Sequence, residues 1–204
     1  MKKNFDQEKN KVVKYFEPMS FSYPIHPAHY VYKAELIRKY AKGVVLDAGC
    51  ADGTYLPLIQ EKAKKVYGID TTPEMVTAAI FKTRTHKKIM IRDGDITQLE
   101  FKDDFFDVIF CQSTFYYIKD QEKAFVELLR VLKPKGILII DVRYQEGSNR
   151  RIQEYTMDGE WLRTLPTITF LDEYYPPQVG ILPIIRKFLG NSVPPITTHV
   201  IQKV

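Results

Sequence analysis

A chain of 204 residues with 45% apolar and 27% charged side chains fits one folded domain and excludes a disordered polymer, a collagen-like repeat and a disulfide-dense miniprotein. The net charge of 30 − 25 = +5 sits mostly in the first 42 residues, which hold nine Lys/Arg against four Asp/Glu; the lysines are scattered, as on a solvated arm, with no dense basic block to track a nucleic acid. No apolar run approaches the roughly 20 residues a membrane helix needs, Met1–Phe5 leads into polar residues instead of a signal-peptide core, and the two cysteines, Cys50 and Cys111, allow one bridge at most, so a cytoplasmic protein is expected.

In chain order, the first feature is Tyr15–Tyr23, which places four aromatics in nine residues; aromatic rings are costly to leave in water and must cover something, whether a site or the core. Pro27 to Ala41 reads as a helix with Tyr30, Ala34, Ile37 and Ala41 on one face and Gly43 just past its end. From Val44 to Val142 short apolar runs alternate with helical patterns, the mark of repeated βαβ units. The strands are expected at Val44–Ala48, Lys65–Ile69, Ile89–Arg92, Phe106–Cys111 and Ile137–Val142. Pro57 places a helix start near Thr54, Thr72 is expected to cap a helix with Pro73 at its first position, and Asp120 caps Gln121–Leu132, whose Ala124, Phe125, Leu128, Leu129 and Leu132 make an apolar face. Pro134-Lys135-Gly136 forces a turn. Residues 143–204 carry six of the twelve prolines and read as irregular, with a helix at Gly180–Leu189 and a last strand at Thr197–Lys203. The expected architecture is α/β, a doubly wound, mostly parallel sheet flanked by helices, in one domain over 1–204: a helical cap over 1–29, a core over 30–142 and a Pro-rich part over 143–204.

The chemistry-bearing segment is Val44-Val45-Leu46-Asp47-Ala48-Gly49-Cys50-Ala51-Asp52-Gly53-Thr54, a buried strand running into a loop of small residues and then a helix. Gly49 and Gly53, with Ala51 between them, let a ligand lie against the main chain at the carboxyl end of the strand. The G-x-G-x-x-G spacing of a pyrophosphate loop is absent, and Asp47 and Asp52 would repel a pyrophosphate while attracting an ammonium or a sulfonium. Asp70 ends the second strand, where a carboxylate accepts from both ribose hydroxyls in doubly wound nucleotide folds.

With these residues, together with Tyr67–Asp70, Asp93-Gly94-Asp95-Ile96, Phe106–Phe110 and Leu128–Gly136, the chain resembles the class I S-adenosylmethionine-dependent methyltransferases of the small-molecule type over roughly residues 30–142. The resemblance implies a Rossmann-like methyltransferase fold, S-adenosylmethionine as the methyl donor and S-adenosylhomocysteine as the product. It implies that Asp47, Gly49, Cys50 and Gly53 frame the methionine half, that Asp70 and Thr71 meet the ribose, that Asp95 and Ile96 address the adenine, and that Gln112, with Ser113, floors the site. In relatives an N-terminal segment like Tyr15–Tyr23 closes over cofactor and acceptor. Two departures are Ala51 in place of the usual middle glycine and Phe115-Tyr116-Tyr117 where relatives often carry histidines.

Methyl transfer from a sulfonium needs alignment in a dry pocket more than a strong base. If the acceptor is a hydroxyl or an ammonium, a proton must leave, and His26, His29 and Tyr116 are the candidates to assist. Tyr15, Tyr23, Tyr116, Arg143 and Tyr144 are the candidates to hold a small-molecule substrate, Arg143 suiting a carboxylate or phosphate. No ligand spacing suggests a metal. Two other readings compete: an RNA or protein methyltransferase using the basic arm, against which the absence of an RNA-binding module stands, and a non-catalytic binder of the cofactor.

Overall fold

The computed structural model describes residues 2–22, 24–144, 154–157, 159–177 and 196–204. Its centre is a seven-stranded sheet of order β3-β2-β1-β4-β5-β7-β6, formed by β1 (Gly43–Ala48), β2 (Ala63–Asp70), β3 (Ile89–Asp93), β4 (Phe106–Cys111), β5 (Leu132–Arg143), β6 (Ile168–Tyr174) and β7 (Ile196–Lys203). The first five strands run parallel, and β7 runs antiparallel to both β5 and β6. The order reverses between β1 and β4, so the crevice at their carboxyl ends is the place where a doubly wound sheet binds ligands.

Period-two alternation assigns the strand side chains to two cores. Leu46 and Ala48 of β1, Ile109 and Cys111 of β4 and Leu138, Ile140 and Val142 of β5 pack with Ala124, Phe125, Leu128 and Val131 of α5 (Gln121–Val131). Val45, Val108, Phe110, Ile137 and Ile139 face the other way, against Ala34, Leu36 and Ile37 of α2 (Pro27–Tyr40) and Leu56, Leu58 and Ile59 of α3 (Leu56–Lys62). A sheet covered on both faces needs near-continuous apolar strands, which is why these five segments stood out in the sequence. Cys50 and Cys111 are both free and buried, and they belong to the two opposite cores.

Helix ends follow the expected chemistry in most places. Asp120 caps α5 by accepting from the Lys123 N–H at 3.3 Å; α4 (Pro73–Thr83) starts on Pro73 after Thr72, but the Thr72 side chain makes no capping bond. The helix after the first loop begins at Leu56, with Pro57 in its first turn. The Pro134–Gly136 turn sits inside β5 as an irregularity: Phe106 pairs Leu132 and Val108 pairs Ile137, with Lys135 at φ 60°. On α2 the buried positions are Ala34, Leu36 and Ile37, whereas Tyr30, expected on the buried face, is 40% exposed and stacks on Tyr55 at 5.5 Å.

The helical cap expected over 1–29 contains α1 (Lys2–Phe16), whereas two elements went unread in the sequence: α6 (Gly159–Thr164) and the edge strand β6. The helix expected at Gly180–Leu189 lies outside the described residues, as does Tyr23.

Candidate functional site

The loop after β1 turns on positive φ angles, with Gly49 at 85°, Ala51 at 47° and Gly53 at 76°. It is fastened to the neighbouring strand by two bonds, since Gly49 N–H and Cys50 N–H both donate to the Ile69 carbonyl at 2.9 Å. Gly49 has a second reason to lack a side chain: a Cβ there would collide with Thr114. The glycine therefore admits a neighbouring protein side chain as well as any ligand. Ala51 adopts a left-handed conformation that costs an L-residue about 1–2 kcal/mol, and its N–H donates to Asp70 Oδ2 at 2.9 Å. Asp52 is buried and turned into the fold, where it accepts from Thr54 and pairs with Lys82.

These elements border a partly open cavity of about 330 Å³, within the range of small-ligand sites. Of the residues singled out in the sequence, Asp47, Gly49, Cys50, Asp70, Thr71, Asp95, Ile96, Gln112 and Ser113 line it, together with His26 and His29. Gly53 lies just behind, its Cα facing Ala79 of α4. Asp70 Oδ1 accepts from the Thr72 N–H at 2.9 Å while Oδ2 takes Ala51, and burial raises its pKa against those bonds. Asp95 Oδ1 accepts from both Thr97 N–H and Thr97 Oγ1, at 2.9 and 2.8 Å, and Oδ2 pairs with Lys9 at 2.9 Å. Burial opposes the charge on Asp95, but the bonds to Lys9 and Thr97 outweigh it and lower the pKa. Asp47 is pushed up to about 7, by burial first and by Asp70 after it, while Lys33 pulls the other way.

Lys33, Lys9 and Tyr117 are lining residues that the sequence reading missed, and Phe16 of the aromatic Tyr15–Tyr23 stretch lines the cavity with them. Lys33 donates to the Gln112 carbonyl at 3.1 Å and lies 5.3 Å from the Tyr55 ring centroid; burial lowers its pKa, with Asp141, Asp47 and Cys111 acting in the opposite direction. Its signal was a lysine four residues after His29, hence on the same helix face, beside the buried Ala34 and Ile37. Phe16 meets Tyr117 edge to face at 5.2 Å, so α1 and the turn Phe115–Tyr117 meet at the mouth. Beneath them Asp141, 2% exposed, accepts from Ser113 N–H at 2.7 Å and from Thr198, which in turn accepts from Tyr32 at 2.6 Å. That network fixes the loop after β4, where Ser113 sits at φ 57°.

Four candidates lie elsewhere. Arg143 pairs with Glu154 at 3.1 Å and lies over the Tyr116 ring at 5.1 Å, Tyr144 shares a 2.6 Å bond with His199 Nε2, and Tyr15 packs edge to face on Phe16 at 4.9 Å. None of Tyr15, Tyr116, Arg143 and Tyr144 is among the lining residues. Both thiols are held high by burial, so neither is poised as a nucleophile. Among the described residues no group of His, Cys, Asp and Glu could hold a metal ion, and no helix is long and apolar enough to cross a membrane.

Two buried polar atoms on this wall have no partner, Gln112 Nε2 and Thr71 Oγ1. An unpaired buried polar group costs about 1–3 kcal/mol, so both are fitted to a ligand with acceptors nearby. Asp47, Asp70 and Asp95 add carboxyl oxygens to the lining, acceptors for amines and hydroxyls.

Comparison with known proteins converges on the same stretch. Residues 46–140 match a family model described as a methyltransferase domain. The tRNA U34 carboxymethyltransferase of Sulfurimonas denitrificans is 35% identical over 105 residues, which are 50% of this chain and 36% of that protein. The malonyl-[acyl-carrier protein] O-methyltransferase of Serratia marcescens is 30% identical over 95 residues, 47% of this chain and 36% of that one. The matched stretch thus spans little more than a third of either curated relative. Among solved structures, the N-methyltransferase NodS from Bradyrhizobium japonicum in complex with S-adenosylhomocysteine superposes with a TM-score of 0.72 at 15% identity, over 96% of this chain and 98% of that one, a likeness of fold.

Proposed function

Residues 46–140 form a class I S-adenosylmethionine-dependent methyltransferase domain, and on that premise we propose that the chain transfers a methyl group from S-adenosylmethionine to the oxygen or nitrogen of a small molecule. Asp70 and Thr71 would hold the ribose, Asp95 and Ile96 the adenine, and Asp47, Gly49, Cys50, Gln112 and Lys33 the methionine end. The bound sulfonium supplies a methyl group on an already activated leaving group. The protein's own contribution is to align that methyl with the acceptor and keep water out.

The observation that carries the small-molecule reading is the apolar cover on the cavity. Val12 and Phe16 of α1, Pro24 and Ile25 after it and Tyr117 opposite all line it, so apolar and aromatic side chains make up much of the wall on the side away from the strand ends. A polymer backbone tracked by phosphate contacts would need exposed lysines and arginines along an open surface. We read residues 1–29 as a lid that must part to admit substrate. The tRNA-modifying relative favours an RNA acceptor as the second reading. Incubating the chain with methyl-labelled S-adenosylmethionine and separate small-metabolite and RNA fractions distinguishes them: label in the small-metabolite fraction supports the proposal. Label confined to RNA, retained at physiological salt, replaces it with the second reading.

A further inference from the structure

The two histidines on the cavity wall differ in what their rings are free to do. His26 occupies the N-cap of α2, and its Nδ1 accepts from the Ala28 N–H at 3.2 Å. That bond fixes Nδ1 as the acceptor and puts the proton of the neutral ring on Nε2, so His26 reaches any ligand as a donor. His29 stands one turn on, its ring centroid 6.3 Å from that of His26, and lines the same cavity. Among the described residues no hydrogen-bond partner is found for either of its ring nitrogens. Lys33 is four residues further along the same helix face, with its ammonium reaching the Gln112 carbonyl at the end of β4. The two side chains thus point inward together, from a helix that packs over the carboxyl ends of the central strands.

From this geometry, and resting on the methyl-transfer reading above, we propose that His29 is the proton acceptor for the methylated group, and that the acceptor is a phenol, alcohol or amine and not a carboxylate. A carboxylate arrives with no proton to lose and makes no use of a free imidazole. For a hydroxyl or protonated amine the balance closes on groups already named: the acceptor's oxygen or nitrogen bonds to the methyl carbon, the carbon–sulfur bond breaks with its electron pair left on sulfur, and the acceptor's proton passes to a His29 ring nitrogen and on to water. The surroundings keep the ring ready. Burial disfavours the imidazolium first, Lys33 and His26 on the same helix add to that, and Asp141 from β5 opposes them. The ring is therefore neutral at pH 7 and able to take a proton, and the same Asp141 stabilises the cation once formed. Lys9, Asp52, Tyr55, Asp70, Asp95, Tyr117 and Lys119 also line the cavity, with Asp52 paired to Lys82 and Asp95 to Lys9, and Asp47 lies on the β1 side beside Lys33.

The test uses the full chain and His29→Asn, which keeps a polar side chain of similar reach but cannot take the proton. S-adenosylhomocysteine binding is measured first by calorimetry. Wild type and variant are expected to bind it within threefold of each other, and loss of binding in the wild type would count against the methyltransferase reading itself, separately from His29. Both proteins are then assayed with methyl-labelled S-adenosylmethionine on a panel of phenols, primary amines and carboxylic acids. The wild type is expected to methylate a phenol or amine with kcat/KM falling below a pH lower than 6.5, and His29→Asn to lose that acidic limb and about 100-fold or more in rate, the usual scale for a positioned base. Methylation confined to the carboxylic acids, no methylation of any phenol or amine, or a variant as fast as the wild type with the same pH profile each overturns the assignment.

Discussion

Replacing Asp70 by Ala separates the carboxylate's two duties. In the free protein its oxygens hold Ala51 N–H and Thr72 N–H, each at 2.9 Å, one from the loop after β1 and one from the entry to α4. Hydrogen bonds to a charged group contribute about 1.5–3 kcal/mol each, but burial raises the Asp70 pKa, a sign that desolvation takes back part of that gain. A net loss of about 2–4 kcal/mol of folding stability is expected, measured by urea denaturation, and Asp70→Asn, which retains one acceptor, should lose about half as much. Under conditions where the variant is folded, removal of the ribose partner should weaken S-adenosylhomocysteine by a further 1.5–3 kcal/mol, which is about 10- to 150-fold in Kd. The control is internal: adenosine should suffer the same loss and adenine almost none. A folded Asp70→Ala that binds S-adenosylhomocysteine within threefold of wild type would refute the assignment of Asp70 to the ribose.

Three further outcomes follow from named contacts. Ala51→Gly relieves a left-handed alanine at φ 47° at the cost of added chain entropy, so the stability in urea should rise by up to about 1 kcal/mol; a loss of more than 1 kcal/mol would show that the strain is not real. Asp47 is raised to about 7 by burial, so the native state keeps a proton that the unfolded chain releases near 4; through this group stability is present below that range and declines as pH rises to about 7. Asp47→Asn should flatten that decline in urea melts run from pH 4 to 8, and an equal slope in both proteins contradicts the burial argument. Deleting residues 1–16 removes the Lys9–Asp95 pair and the Phe16–Tyr117 contact but none of the seven strands, so the remainder should fold and bind adenosine while methyl transfer falls at least tenfold; unfolding, or undiminished transfer, would show that α1 is no lid.

The core was legible because it obeys local rules. Each of the five parallel strands carries a short apolar run, continuous and buried over Val108–Cys111 of β4 and Gly136–Ile140 of β5, and the small residues of Asp47–Gly53 that follow the first run mark a loop suited to close approach. Asp70, Asp95 and Gln112 were placed by their positions at strand ends, which the parallel register carries to one edge of the sheet. What escaped depends on contacts distant in sequence. Lys9 meets Asp95 across 86 residues and Lys33 meets Gln112 across 79, and no local pattern announces either. The edge strand β6 alternates exposed and half-buried residues, so it lacks the apolar run that betrayed the central strands. Arg143 and Tyr144 were expected at the site because they follow the apolar run Ile137–Val142, yet it is Asp141 that meets the loop after β4, while Arg143 pairs with Glu154 and Tyr144 bonds to His199. Gly49 was read as space for a ligand, and the structure adds a protein neighbour, Thr114, to the same space.

The most direct test of the account is a crystal structure of the full chain grown with millimolar S-adenosylhomocysteine. The account predicts density in the cavity, with both ribose hydroxyls on the Asp70 carboxylate, the adenine between Asp95 and Ile96 after Lys9 has given way, and the amino-acid end against Asp47, Lys33 and the side-chain amide of Gln112. A cavity without ligand at that concentration, or the ligand bound anywhere else on the molecule, would contradict it.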